Sequence, residues 1–140
     1  MILKPPIQQG FQQRHQYINI SIMLVNCKIL SSDFLINQKI ENFIKSTPFF
    51  YLQENSNDFE NNQIIFWDID TINIDILLIK ERITEGSIIL LISSLISKSV
   101  ISEMFGSEIF RNISVLTKNV AYSQFVDEVS QLIENRAFSP

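Results

Sequence analysis

Three polar residues that could act together on a phosphoryl group each follow an apolar run of the chain. Asp68 follows I-I-F-W, Ser94 follows I-L-L-I-S with Ser93 as the alternative hydroxyl, and Lys118 follows V-L-T. A carboxylate is an oxygen nucleophile, and a hydroxyl and an ammonium are donors that can neutralise an incoming anion. If the fold brings the three together, the sequence predicts a site that receives a phosphoryl group.

Asp68 also has a structural interpretation, which stays open at this point. Residues 64–67 form a continuous run of β-branched and aromatic residues, typical of a strand that is buried on both faces. In open α/β sheets ligands gather where such strands end, which favours a functional role for the carboxylate. Asp is equally common as the first residue of a turn or as a helix cap.

An alternation of strand-like and helix-like stretches predicts the elements that must position these residues. The predicted strands are residues 23–30, 49–52, 64–67, 88–92 and 113–116. Helical spacing of apolar residues predicts helices over 34–46, 74–84, 97–105 and 125–133, with at most a turn or two of helix within 53–62. This order predicts an α/β fold with a five-stranded parallel sheet and helices on both of its faces.

The composition narrows the class of protein. With 140 residues, 46% of them hydrophobic, the chain can build one core, and we expect a single domain over residues 18–140 behind a flexible extension at 1–17. A net charge of -4 without a basic run argues against direct binding to nucleic acid. The apolar stretch 18–30 is too short to span a bilayer.

Several kinds of site are excluded by residue counts. Cys27 and His15 are the single cysteine and the single histidine, so the chain has no internal disulfide, no cysteine-based metal cluster and no histidine-rich zinc site. This cysteine usage favours the cytoplasm. Three glycines leave no phosphate-cradling loop of the nucleotide-binding kind. An acid/base pair of Asp68 and Asp70 is disfavoured, and nothing else in the sequence indicates an enzyme.

The order of these stretches resembles the receiver domain of bacterial two-component response regulators, especially of those that precede LytTR-type DNA-binding domains. The resemblance covers residues 23–135. It is carried by D-F-L-I-N-Q-K-I-E-N-F-I-K-S-T-P at 33–48, I-I-F-W-D-I at 64–69, I-L-L-I-S-S at 89–94 and V-L-T-K at 115–118. It implies a flavodoxin-like (βα)5 fold, doubly wound, with strand order 2-1-3-4-5.

The resemblance also implies roles for single residues. Asp68 matches the phosphoacceptor, Ser94 the hydroxyl that reports phosphorylation, and Lys118 the lysine that pairs with the phosphoryl group. The partner implied is a histidine kinase. The departures begin at the end of the first strand, where the family has an acidic pair that helps to hold magnesium and this chain has Ser31 and Ser32.

Asp33 and Asp68 are the carboxylates left to hold magnesium, so we expect the ion to bind weakly. Asp33 has a helix cap as its alternative role. Val115 stands where the family has a switch aromatic. These departures indicate a degenerate member, or pseudo-receiver.

Two functions therefore stay open. One is a receiver that is phosphorylated at Asp68, and the other is a phosphorylation-independent module for protein interaction or dimerisation. For the second, the resemblance implies a constitutive homodimer through residues 97–105, 113–117 and 122–135. The alternative is a monomer in which the sheet covers every apolar residue of the last helix.

Overall fold

A computed structural model describes residues 24–53, 64–106 and 112–137 of the chain. In these residues five strands form one parallel sheet in the order β2-β1-β3-β4-β5. The strands are β1 (Val25–Leu30), β2 (Phe50–Leu52), β3 (Ile64–Asp68), β4 (Ile88–Ile92) and β5 (Ile113–Leu116). The predicted flavodoxin-like sheet, with strand order 2-1-3-4-5, is confirmed.

Helices cover both faces of this sheet. The described helices are α1 (Phe34–Lys45), α2 (Ile76–Thr84), α3 (Lys98–Phe105) and α4 (Tyr122–Ala137). Successive residues of a strand point to opposite faces, so Phe66 packs with α1 and α4 whereas Trp67 packs with α2 and α3. The sheet is therefore doubly wound around two apolar cores.

The two central strands, β3 and β4, place Asp68 at the carboxyl edge of the sheet. Every residue of β3 and β4 is buried, as expected for parallel strands with helices on both sides. Asp68 is the last residue of β3 and is level with Ile92, the last residue of β4. The buried apolar run thus carries a carboxylate directly to the carboxyl edge of the sheet.

The helix ends follow from local capping. The carboxylate of Asp33 accepts hydrogen bonds from the N–H groups of Leu35 (2.9 Å) and Ile36 (3.4 Å), so α1 begins at Phe34. Asp75 caps α2 in the same way through Leu77, two residues later than the apolar spacing predicts. Gly86 follows α2 with φ of 113°, which glycine adopts without the steric cost of a side chain.

The last helix is longer than its apolar stripe. It begins at Tyr122, whose hydroxyl donates to the carbonyl of Ser46, and so it starts three residues before the predicted Phe125. The predicted extension at 1–17 and the stretch 54–62 lie outside the described residues. In the described parts of the chain, no helix is both long enough and apolar enough to cross a membrane.

Candidate functional site

The turn after β3 holds Asp68 in place. The N–H groups of Thr71 and Ile72 both donate to the carbonyl of Asp68, at 3.1 and 3.0 Å. The indole N–H of Trp67 donates to the carbonyl of Ile72 at 2.7 Å, which ties the far end of the turn to the buried strand. The position of the carboxylate is therefore set by the core.

Both carboxylate oxygens of Asp68 have partners. Oδ2 accepts a hydrogen bond from Oγ of Ser31 at 2.7 Å, and Oδ1 accepts one from the N–H of Asp70 at 3.2 Å. Nζ of Lys118 lies 3.7 Å from Oδ1. Because Asp68 is fully buried, an ionised carboxylate requires such partners, and here they come from three different loops.

Lys118 makes its shorter contact with a different carboxylate. Its Nζ is 3.1 Å from Oδ2 of Asp70. Asp70 also accepts hydrogen bonds from the hydroxyl of Ser93 at 3.0 Å and from the N–H of Ser94 at 3.2 Å. One ammonium, one hydroxyl and one backbone N–H therefore converge on the Asp70 carboxylate.

These contacts determine the charge states of Asp70 and Lys118. Burial opposes ionisation of Asp70, but the hydrogen bonds from Lys118, Ser94 and Ser93 outweigh it and hold the pKa of Asp70 below its usual value. The hydrogen bond to Asp70 raises the pKa of Lys118 against the effect of burial, and the nearby charge of Asp68 adds to the increase. Both residues are charged at neutral pH.

Neighbouring loops fix the frame of the site. The carbonyl of Lys118 accepts a hydrogen bond from Nζ of Lys39 on α1 at 2.9 Å, which holds the β5–α4 turn against that helix. The N–H of Ser32 donates to the hydroxyl of Thr71 at 3.0 Å and joins the loops after β1 and β3. Hydrogen bonds therefore hold the loops after β1, β3 and β5 in place around the site.

Of the residues singled out in the sequence, Asp68 and Lys118 meet at one edge of the sheet. The cluster at this edge consists of Ser31, Asp68, Asp70, Ser93 and Lys118. Ser94 is exposed and reaches this cluster through its backbone N–H. The buried serine of this pair is Ser93, whose hydroxyl points to Asp70 and accepts hydrogen bonds from the N–H groups of Leu95 and Ile96. The alternative hydroxyl is therefore the one that enters the cluster.

The sequence did not predict that Asp70 and Ser31 belong to this cluster. The sequence disfavours an acid/base pair of Asp68 and Asp70, and the signal for a second carboxylate at this edge is the D-x-D spacing at the end of a strand. The hydroxyl of Ser31 stands beside Asp68, where the resembling family has an acidic residue. No pattern in the sequence indicated that this hydroxyl would bond to Asp68.

The oxygen atoms near Asp68 that could serve as metal ligands are a poor match to magnesium. Magnesium prefers carboxylate oxygens and water, but one oxygen of Asp33 caps α1 and the hydroxyl of Ser31 donates to Oδ2 of Asp68. Within residues 24–53, 64–106 and 112–137, no three side chains of His, Cys, Asp or Glu are grouped as metal ligands would be. Asp33 has the capping role that was its alternative.

Comparison with known proteins supports the fold. No protein-family model matches the chain, and no curated protein matches it either. A solved structure does match, the crystal structure of a response regulator receiver modulated diguanylate cyclase from Pelobacter carbinolicus. The match has a TM-score of 0.52 and 13% identity and covers 82% of this chain and 97% of that chain. At this identity the likeness shows a shared receiver-like fold.

Proposed function

We propose that this chain is a cytoplasmic, response-regulator receiver-like signalling module with weakened phosphoryl acceptance at Asp68. The observation that carries the proposal is the buried carboxylate of Asp68 at the carboxyl end of β3, with Nζ of Lys118 3.7 Å away. In this role Asp68 is the phosphoacceptor, and Lys118 and Ser94 contact the phosphoryl group, Ser94 through its N–H. The donor is a histidine kinase, and the role is signalling rather than catalysis.

The hydroxyl of Ser31 is the main reason to expect weak acceptance. Phosphoryl transfer needs a carboxylate oxygen that is free to attack phosphorus in line with the leaving group. Oδ2 of Asp68 is instead bound to Ser31 at 2.7 Å, and the whole residue is buried. Magnesium would be held by Asp33 and Asp68 alone, and since Asp33 also caps α1, we expect that binding to be weak.

Labelling with a small phosphodonor tests the proposal. In the reaction with acetyl phosphate an oxygen of Asp68 attacks phosphorus and acetate leaves. With millimolar magnesium we expect intact-mass measurements to find only a minor phosphorylated fraction in the wild type and none in Asp68→Asn. Beryllofluoride should also bind poorly. Rapid stoichiometric labelling of the wild type would show that acceptance is not weakened, and labelling that persists in Asp68→Asn would refute Asp68 as the acceptor.

The second candidate is a phosphorylation-independent interaction module, with a second copy of the chain as its simplest partner. Four large apolar side chains are exposed near the carboxyl edge of the sheet: Phe34, Leu35, Leu77 and Leu95. They belong to the first turns of α1 and α2 and to the loop after β4. On α4, by contrast, Phe125, Val129 and Leu132 are buried against the sheet.

Sedimentation distinguishes the two surfaces that could support a dimer. A constitutive dimer through the carboxyl edge should dissociate in Leu95→Lys and persist in Asp68→Asn. A dimer through residues 97–105, 113–117 and 122–135 should be unaffected by Leu95→Lys. A monomer at all concentrations contradicts the dimerisation function, and association that requires a phosphodonor and Asp68 contradicts its constitutive character.

A further inference from the structure

Three hydrogen-bond donors at the edge of the sheet share one anion. Nζ of Lys118, the hydroxyl of Ser93 and the N–H of Ser94 all lie within 3.0–3.2 Å of the Asp70 carboxylate. We propose that these donors form a binding site for a small oxyanion and that the Asp70 carboxylate occupies it as a tethered ligand. With Asp70 removed, the site would take a tetrahedral oxyanion such as inorganic phosphate.

The chemistry of the donors supports an anion site. An ammonium, a hydroxyl and a backbone N–H are all donors to an anionic oxygen, and charge-assisted hydrogen bonds are the strongest of their kind. They come from the ends of two neighbouring strands, so the sheet itself aligns them. The side chains of Lys118 and Asp70 remain about one quarter exposed, at 27% and 26%, so that a dissolved ion can reach the position.

The short covalent connection between Asp68 and Asp70 explains why the Asp70 carboxylate occupies the anion site. Asp70 lies two residues after Asp68 and its N–H donates to Oδ1 of Asp68, so its carboxylate is delivered to the donors by the same turn that positions Asp68. A group attached by so short a connection competes at a high effective concentration against a free ion. Its negative charge also repels an external anion. The donors are therefore satisfied without phosphorylation.

This inference deepens the proposed function, because the donors assigned there to a phosphoryl group are already filled by Asp70. In this state the hydroxyl of Ser93 donates to a carboxylate of the same chain, so no incoming anion is needed to hold it in place. The chief competing arrangement is that Lys118 moves from Asp70 to Asp68, which lies 3.7 Å away, as soon as Asp70 is absent. In that case removing Asp70 creates no anion site.

The experiment is a titration of the full chain with inorganic phosphate, without magnesium, followed by the ¹⁵N–¹H signal of Ser94. We compare wild type, Asp70→Ala, Asp70→Asn and the control Asp127→Ala, which removes the same charge from an exposed position of α4. We expect a saturable shift in Asp70→Ala, with affinity at least about tenfold above that of wild type, because the carboxylate is both competitor and repelling charge. Asp70→Asn should bind with intermediate affinity, since its amide oxygen still competes.

Three outcomes overturn the inference. If neither Asp70 variant binds phosphate at Ser94, Lys118 has moved to Asp68. If wild type binds as well as Asp70→Ala, then Asp70 does not fill the site, and an equal gain in Asp127→Ala would be a nonspecific effect of net charge. If Asp70→Ala does not fold, Asp70→Asn against wild type decides. Because inorganic phosphate does not phosphorylate Asp68, this result is independent of the labelling test of the proposed function.

Discussion

Replacement of Ser31 by aspartate is the sharpest perturbation of the site. The hydroxyl of Ser31 donates to Oδ2 of Asp68 at 2.7 Å, and a carboxylate there would put two negative charges side by side. We expect Ser31→Asp to lower the free energy of unfolding at neutral pH when magnesium is absent, and magnesium to restore it. In the wild type, magnesium should change stability little.

The magnitude follows from the contact that is lost and the repulsion that is gained. A hydrogen bond to a charged group is worth about 1.5–3 kcal/mol. Two unit charges about 4 Å apart repel by roughly 4 kcal/mol at an effective dielectric constant of about 20, and Lys118 near Asp68 offsets part of this. If Lys118 offsets roughly half of this repulsion, we expect a net loss of about 3.5–5 kcal/mol. Magnesium at about 100 times its Kd would return about 2.7 kcal/mol.

Urea unfolding in EDTA and in millimolar magnesium, at matched ionic strength, measures both effects. Ser130→Asp is the matched control, because Ser130 is exposed on α4 and far along the chain from the site. It should show neither the loss nor the dependence on magnesium. If Ser31→Asp is as stable as wild type in EDTA, the contact between Ser31 and Asp68 does not have the role assigned to it. If magnesium stabilises wild type and Ser31→Asp equally, the proposal that Ser31 weakens magnesium binding is wrong.

The remaining predictions concern stability and reactivity. Burial raises the pKa of the Cys27 thiol to about 12, so alkylating reagents at pH 8 should modify Cys27 no faster than the protein unfolds; rapid alkylation of folded protein would contradict this. Because the pKa of Asp70 is lowered in the folded state, its ion pair contributes stability above the usual Asp pKa of about 3.9, and this contribution is lost as pH falls through the lowered value. Asp70→Asn should thus be less stable than wild type by about 1 kcal/mol at pH 7, and the difference in urea midpoints should close below about pH 4; a constant difference would refute the ion pair. Phe125→Ala should cost about 3–5 kcal/mol in urea unfolding, because the fully buried Phe125 ring stacks on Phe66 with centroids 5.4 Å apart; a cost below about 1 kcal/mol would show that the core repacks around the cavity.

Much of the architecture could be predicted because its causes are local. Residues 64–67 and 88–92 are short runs that are apolar without interruption, which is typical of strands buried on both faces, and both are central strands of the sheet. Strands and helices alternate, so the sheet is parallel and all strands end at one edge. That is why Asp68 and Lys118, 50 residues apart in sequence, could be expected to meet. The helix cap formed by Asp33 also depends only on nearby residues. It could therefore be predicted from the sequence, as the alternative to a role of Asp33 as a magnesium ligand.

The partners within the site depended on tertiary structure. Ser31 bonds to Asp68 across 37 residues of sequence, and Ser93 bonds to Asp70 across 23. The turns that follow the strands decide which side chain enters the cluster, and they turn the hydroxyl of Ser93 inward while Ser94 presents only its N–H. Asp70 acquires its role because Lys118, carried in from β5, lies closer to it than to Asp68. Sequence pattern locates residues at an edge, but the meeting of separate loops sets which donor faces which oxygen.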